Sequence, residues 1–514
     1  MRRENRPLSL ASFIMSVFTP IPLGQRIPAS LHGVSCSLPT MRAVIGYEEK
    51  HPEIVQQLTS GYPRFVQHPF LKRAAAHLLK TVGLEKHQLW LTSSARAAEL
   101  LRQWLNVPGA QTIAKNTLTG VAFPESAETF ARAKTFLQHT GMLLSSREAE
   151  DYLVRVNELI AEEVEPTFDG YPAARIKGAV SRAFQHASAE DVFLANSGMN
   201  AIYSAFRVTE SLQRPRGRRV WVQLGWLYLD TIAILQKFTH VPADHYIHLR
   251  DVLDLGAIRA LFAERGHEIA GVITEVPTNP LIQTPDLPAL YELCRAHDAI
   301  LIVDPTVASP LNIDVLPHCD VAVISLTKYA ASEGDVLMGA VVVNPKTDYA
   351  LELRRRFPGE LEPVYSRDVA RLATEIGDYE SVINQINRTA PVVVEFLRNH
   401  RKIKELYWSR QPSCRGNYLR IARTPESIGS MISFVVDGPL AAFYDRLRLA
   451  KGPSFGMKQT LICPFIYLAH YDLITSETGR ETLKANGLNP ELLRLSIGCE
   501  PAEDIIAALA EALA

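Results

Sequence analysis

Five apolar runs in this chain are each followed by residues that can do chemistry. After VFLAN (192–196), Ser197-Gly198-Met199 opens a helical stretch. Unpaired N–H groups and the positive dipole end at a helix start suit a phosphate, and Gly198 lets backbone approach closely. After RRVWVQL (218–224) comes Tyr228, which offers an aromatic face. After AGVITEV (270–276) comes Pro277-Thr278-Asn279-Pro280. Asp304 closes AILIVD (299–304) and is followed by Pro305-Thr306; an acid ending an apolar strand is costly unless it is paired or caps something. Lys328 stands just after VAVISL (321–326), where desolvation can turn an ammonium into a nucleophilic amine. Taken singly, each has an ordinary explanation: a serine N-cap, a half-buried tyrosine, a turn, a helix cap, a solvated strand end.

The elements that must position these residues are legible in the hydrophobic pattern. The five runs are short and β-branched, and they alternate with amphipathic stretches such as AIYSAFRVTESL, YLDTIAILQKF and LPALYELCRAH. Alternation of this kind predicts βαβ units and a mostly parallel sheet covered by helices on both faces. Ligands of such sheets sit beyond the carboxyl ends of the strands, where the five stretches fall. From about 70 to 165 the chain reads as helical, in LKRAAAHLLKTVG, SSARAAELLRQWL, ESAETFARAKTFLQHTG and SREAEDYLVRVNELIAEEV, with nothing chemical in it. After about 385 a long helix is predicted through INRTAPVVVEFLRNHRKIKEL, then strands in SMISFVVDG and LLRLSIG and a closing helix. The expected division is an N-terminal extension with a helical insertion (1–170), a large α/β domain (171–385) and a smaller α/β domain (386–514).

Composition narrows the functional classes. The 514 residues are 47% hydrophobic and 21% charged, which excludes disorder, collagen and coiled coil as descriptions of the whole chain. Lys and Arg number 54 against 55 Asp and Glu, a net charge of −1. No global basic field is there to hold nucleic acid or an anionic membrane, so neither is an expected partner. The six cysteines are scattered, without a CxxC pair, and suit a reducing compartment as buried small hydrophobes. No HExxH, Walker-type GxxxxGK[ST] or GxGxxG occurs, and no metal is expected. The start, MRRENRPLSLASFIMSVFTPIPLG, is a basic segment followed by a short apolar run interrupted by serines. It is a poor signal peptide and too short to span a bilayer, which points to a cytoplasmic protein, with Met15 an alternative start.

Together the strand-end residues supply the groups that pyridoxal 5′-phosphate needs: a phosphate cup, an aromatic face for the ring, an acid for the pyridine nitrogen and a lysine for the aldehyde. Asp304 would keep the ring nitrogen protonated, so that the ring can accept electrons from a substrate carbanion. The segment from about 171 to 514 resembles the Cys/Met-metabolism family of pyridoxal-phosphate enzymes. The resemblance rests on Ser325-Leu326-Thr327-Lys328-Tyr329 with Asp335-Val336 and Gly339, on Ser197-Gly198-Met199, and on Tyr228-Leu229-Asp230-Thr231. It also rests on the motifs at 277–280 and 303–306, on Ser454-Phe455-Gly456 with Thr460-Leu461, and on Arg494-Leu495-Ser496-Ile497-Gly498. It implies the type I, aspartate-aminotransferase-like fold with a mostly parallel seven-stranded sheet. It also implies roles: Lys328 as the cofactor lysine and proton shuttle; Ser197, Gly198, Met199, Ser325 and Thr327 around the phosphate; and Tyr228 stacked on the ring and assisting proton transfer. Asn279 would touch the ring hydroxyl, Asp304 and Thr306 would complete the cofactor site, and Arg494 with Ser454 would bind the substrate carboxylate.

Three features depart from the family pattern. Ser332-Glu333-Gly334 replaces Gly-His-Ser, and ARLATEIGDYESVINQINR from Ala370 replaces a Leu-Arg-Gly stretch. The family's Tyr-x-Arg motif, which grips the phosphate of the neighbouring subunit, is matched by Tyr62-Pro63-Arg64, far upstream of Ser197; Tyr171 and Arg175 are nearer but wrongly spaced. With Tyr62 and Arg64 in that role, the resemblance implies a homodimer or homotetramer with active sites at the subunit interface. The early text HGVSCSLPTMRAVIGYEEKHPEI…GYPRF resembles the extended fungal cystathionine γ-synthases. The implied reaction is γ-replacement, in which an activated homoserine ester and cysteine give cystathionine. A cystathionine or methionine lyase and a non-catalytic cofactor-binding protein are the alternatives.

Overall fold

A computed structural model describes residues 17–514, so the expectations about the start of the chain, Met15 included, lie outside the described residues. The central element is a seven-stranded sheet with strand order Val192–Ala195, Gly339–Val343, Val321–Ser325, Ile300–Asp304, Ile269–Glu275, Val220–Leu224, Tyr246–Leu249. Gly339–Val343 is antiparallel to both its neighbours, and the other six strands share one direction. This is the mostly parallel α/β sheet expected, with side chains buried on both faces as such sheets require. Ala322 and Ile324 join one apolar cluster, and Val321 and Val323 join the other.

A second sheet of five strands runs Ile403–Tyr407, Met431–Val436, Leu493–Ser496, Leu461–Pro464, Ala450–Lys451. The long helix before it spans Tyr379–Asn399 and stops short of the expected end; the chain breaks at His400 and continues as the edge strand Ile403–Tyr407. The closing helix, Ala502–Leu513, is amphipathic and buries Ile505, Ala508, Leu509 and Ala512.

The block that reads as helical does contain its four helices, Pro69–Thr81, Ala95–Leu105, Ala127–Thr140 and Ser146–Arg155. Serine side chains cap three of them, Ser94, Ser126 and Ser145. Between them lies an antiparallel sheet that the helical reading omits: His87–Thr92, Leu118–Pro124 and Gln111–Lys115, in that order. Its hairpin turns at Asn116 (φ 50°) and Thr117 (φ 76°), a two-residue loop with both residues left-handed. Leu89 and Leu91 belong to the block's own apolar cluster, whereas Trp90, its ring against Phe130, belongs to the cluster shared with the large sheet. That alternation is the period-2 pattern of a strand buried on both sides. Arg147 adds buried ion pairs to Glu165 and Asp368, so the block is built into the large domain.

The chain before the block threads along the smaller domain. Leu38 N donates to Lys451 O at 2.9 Å, and Tyr444 Oη donates to Leu38 O at 2.9 Å. All six cysteines are free, five of them buried. Among the described residues no helix is long and apolar enough to cross a membrane.

Candidate active site

A cavity of about 310 Å³ opens at the carboxyl ends of the large sheet and is closed from the far side by the smaller domain and the N-terminal extension. Ser197 caps the helix Gly198–Gln213, its Oγ accepting from Asn200 N at 3.1 Å. The N–H groups of Gly198 and Met199 fall in the first turn, where no carbonyl of the helix can reach them. Close approach explains the glycine: a Cβ on Gly198 would lie 2.9 Å from Ser325 Cβ. Ser325 ends its strand beside this helix start, and its N–H donates to Thr306 Oγ1 at 3.0 Å. Thr306 also lines the cavity. Thr327 does not line it. Its Oγ1 accepts from Met338 N at 3.1 Å and its N–H donates to Met338 O at 3.2 Å, so it ties down the loop that carries the lysine.

Lys328 is buried, with Nζ donating to Ser454 Oγ at 2.8 Å and to Tyr62 Oη at 3.3 Å. Burial lowers the pKa of its ammonium, opposed by the Tyr62 phenol. The next residue, Tyr329, is left-handed (φ 52°), as is Ser454 (φ 89°); strained backbone of this kind is held only where its surroundings over-determine it. Here Tyr329 N donates to Gly456 O at 2.7 Å, locking the lysine loop to the serine loop. Arg494, from the strand Leu493–Ser496, donates to Ser454 O at 2.9 Å and lies over the rings of Phe455 and Phe465.

Asp304 accepts from Thr306 N at 2.8 Å and pairs in register with Glu275 on the adjacent strand. Burial pushes the Asp304 carboxyl up to about 6. Burial, with Asp304 beside it, raises the Glu275 carboxyl well above its ordinary range, while Glu275 accepts from Tyr228 N. Glu275 is absent from the sequence-based expectations although, like Asp304, it closes a buried strand. Asn279 is buried, and its Oδ1 has no hydrogen-bond partner among the described residues. A buried acid pair with no ion-pair partner among the described residues, an orphaned amide oxygen and a helix start close enough to exclude a Cβ together fit pyridoxal 5′-phosphate. They would face its ring nitrogen, ring hydroxyl and phosphate respectively.

Tyr62 and Arg64 reach the cavity of their own chain. Arg64 forms a buried ion pair with Asp230 and donates from Nη2 to Tyr228 Oη at 2.6 Å. Within this chain the inserted block brings both residues into the cavity that holds Lys328. Burial alone would raise the Tyr62 phenol, but the Lys328 and Arg64 cations outweigh it and hold it below its ordinary value. Burial raises the Tyr228 phenol well above its ordinary value, and its hydroxyl is engaged by Arg64. Of the two phenols, Tyr62 is the one within reach of the Lys328 amine. Tyr171 is exposed and Arg175 stacks on Phe168, so neither joins the cavity. At the mouth stand Glu48, Lys50 and Lys134, the last contributed by the inserted block. That block therefore contributes a lining residue that its sequence does not single out.

The model of the Cys/Met metabolism PLP-dependent enzymes matches residues 172–514. The chain is 38% identical over 480 residues to an L-2-amino-4-chloropent-4-enoate dechlorinase/desaturase of Streptantibioticus cattleyicolor, covering 93% of this chain and 95% of that protein. It is 26% identical to the cystathionine gamma-synthase of Neurospora crassa, covering 96% and 98%. The crystal structure of cystathionine gamma synthase from Xanthomonas oryzae pv. oryzae in complex with cystathionine superposes with a TM-score of 0.55 at 22% identity, over 69% of this chain and 89% of that one. Strand-end chemistry, fold and family model agree: the chain belongs to the Cys/Met metabolism family of PLP-dependent enzymes, and pyridoxal 5′-phosphate is its cofactor.

Proposed function

We propose that this enzyme expels a leaving group from the γ carbon of an L-α-amino acid and replaces it with a thiol, as a cystathionine γ-synthase does. The observation that carries the reading is the convergence on Lys328 Nζ of the Tyr62 hydroxyl and of Ser454, whose carbonyl in turn fixes Arg494. A proton shuttle and a carboxylate clamp thus share one buried pocket. Bound there, the cofactor supplies an electron sink for negative charge developing at Cα. Lys328 Nζ, made less basic by burial, takes the Cα proton and delivers it onward. Arg494 pairs both substrate carboxylate oxygens through its fork and so fixes which Cα bond faces the lysine. Asp304 holds the ring nitrogen protonated. Gly198, Met199 and Ser325 would hold the phosphate, with the Asp230-paired Arg64 beside them, and Asn279 would meet the ring hydroxyl. Tyr62 exchanges a proton with Lys328, while Tyr228 would pack against the ring.

Two observations bear on the fate of the substrate after expulsion. Glu48, with its carboxyl raised to about 7 by burial, lines the cavity with Lys50 and Lys134, which suits a polar amino-acid thiol. The 38% identical relative is a dechlorinase/desaturase, which supports a second reading in which the unsaturated product leaves without thiol addition. The assembly in this reading is a homodimer or homotetramer whose sites need no residue from a neighbour, in the cytoplasm. The test incubates purified holoenzyme with homoserine esters with and without cysteine, with L-2-amino-4-chloropent-4-enoate, and with cystathionine and methionine. A thioether formed only when cysteine is present supports replacement. Leaving-group loss to an unsaturated amino acid regardless of cysteine supports desaturation. Release of 2-oxobutyrate or pyruvate with ammonia points to a lyase. Bound cofactor with no turnover of any substrate overturns the proposal.

A further inference from the structure

Asp230 stands two residues after Tyr228, on the helix Leu229–Phe238, and is wholly buried. Three donors converge on it: the Arg64 guanidinium, Gln138 Nε2 at 2.8 Å and His139 Nδ1 at 3.0 Å. The far nitrogen of the same imidazole, Nε2, lies 3.0 Å from Lys237 Nζ. An ammonium only donates, so Nε2 accepts and the ring proton sits on Nδ1, facing the carboxylate. Gln138 also offers its backbone carbonyl to Arg64 Nη1 at 3.0 Å. Gln138 and His139 both belong to the last turn of Ala127–Thr140, in the inserted block.

A buried arginine has many rotamers and five donors, so its head stays in one place only if those donors are taken in a fixed pattern. Here one Nη is held by Asp230 and the Gln138 carbonyl, which leaves the other directed at the Tyr228 hydroxyl. Burial alone would raise the Asp230 carboxyl, but Arg64, His139 and Gln138 outweigh it and keep it an anion. The anion in turn lets Arg64 remain at the cavity wall as half of a neutral pair, which a low-dielectric site tolerates far better than a lone charge.

We propose that Asp230 is a positioning residue, seated by Gln138 and His139, which fixes Arg64 against Tyr228 so that the inserted block completes the cofactor site of its own chain. The proposal rests on the reading of this pocket as the cofactor site. The inserted block then supplies, from within the chain, the support that holds the cofactor-side arginine in place.

The test uses Asp230→Asn, Arg64→Ala, their double variant, and Gln138→Ala combined with His139→Ala, which removes the seat but leaves the Asp230–Arg64 pair. Apoenzyme unfolding in urea, pyridoxal 5′-phosphate affinity by absorbance titration, and kcat and KM are measured on each. Asp230→Asn is expected to fold and to bind the cofactor about tenfold more weakly, the loss of one charge-assisted contact. The Gln138/His139 pair should weaken it in the same direction, and the Asp230/Arg64 double variant should bind no worse than Arg64→Ala alone. Should Asp230→Asn not fold, the Gln138/His139 variant decides. Unchanged affinity in that variant or in folded Asp230→Asn, or losses from Asp230→Asn and Arg64→Ala that multiply, would overturn the positioning role. If Arg64→Ala and Lys328→Ala both bind the cofactor as the parent does, the cofactor-site reading fails instead.

Discussion

Replacing Asp304 by asparagine should stabilise the apoenzyme while disabling the holoenzyme. Burial raises the Asp304 carboxyl from its ordinary 3.8 to about 6, and Glu275 lies opposite it on the next strand. The native chain therefore keeps this proton to about pH 6, whereas the unfolded chain releases it near 3.8. Between those values the native state holds more protons than the unfolded one, so stability falls as pH rises through the window. At pH 8 the carboxylate is charged in both states and its full penalty is expressed. About two pKa units at about 1.36 kcal/mol each gives up to about 3 kcal/mol. Asparagine keeps the shape and can still accept from Thr306 N, but carries no charge. Urea unfolding of the two apoenzymes should show Asp304→Asn more stable at pH 8 by up to about 3 kcal/mol, with the gap closing toward pH 4. With cofactor present, the same variant lacks the anion opposite the ring nitrogen, and kcat should fall by about 100-fold or more. A variant less stable than the parent at pH 8, or a gap that does not shrink at pH 4, would show that burial of this carboxylate is not the cost supposed.

The same geometry sets further expectations. Gly198→Ala places a Cβ 2.9 Å from Ser325 Cβ, so cofactor affinity, read by absorbance titration, should drop roughly tenfold through overpacking at the phosphate cup. Arg494→Lys keeps the charge but loses the fork, and KM for the amino-acid substrate should rise roughly 10- to 100-fold, more than kcat falls. Because Arg64 and Lys328 meet within one chain, mixed assemblies of Arg64→Ala and Lys328→Ala subunits carry one lesion in every site. Mixing should restore no activity; recovery toward a quarter or half of the parent rate would show sites shared between subunits.

The strand-end chemistry is legible because a buried sheet makes any polar residue at its edge conspicuous. Lys328, Asp304 and the Ser197–Met199 turn stand out against apolar runs, and the structure gathers them in one cavity. Glu275 obeys the same rule but is masked by Val276, which extends its run by one apolar residue. The inserted strands are hidden for a different reason. Their hairpin turns on Asn116-Thr117 without a glycine, and short strands flanked by strong helices leave little periodicity to detect. The helix ending at Asn399 reads too long because Ile403 and Leu406 continue a helical spacing, although the chain turns at His400 to start an edge strand. Least legible is the company kept by Asp230. Gln138 and His139 read as ordinary polar residues closing a helix, and their meeting with Arg64 depends on how the whole inserted block folds back. A linear pattern does not encode that return, and the expectation of Arg64 at a neighbour's phosphate rests on the family resemblance alone.

The proposed mechanism requires pyridoxal 5′-phosphate to be held covalently by Lys328. Borohydride reduction of the holoenzyme, followed by digestion and mass mapping, tests this directly by fixing the cofactor to whichever amine carries it. A single labelled site is expected on the peptide containing Ser325-Leu326-Thr327-Lys328-Tyr329, lost in Lys328→Ala together with the visible absorbance. Label on another lysine, or an unchanged absorbance band in Lys328→Ala, would contradict it.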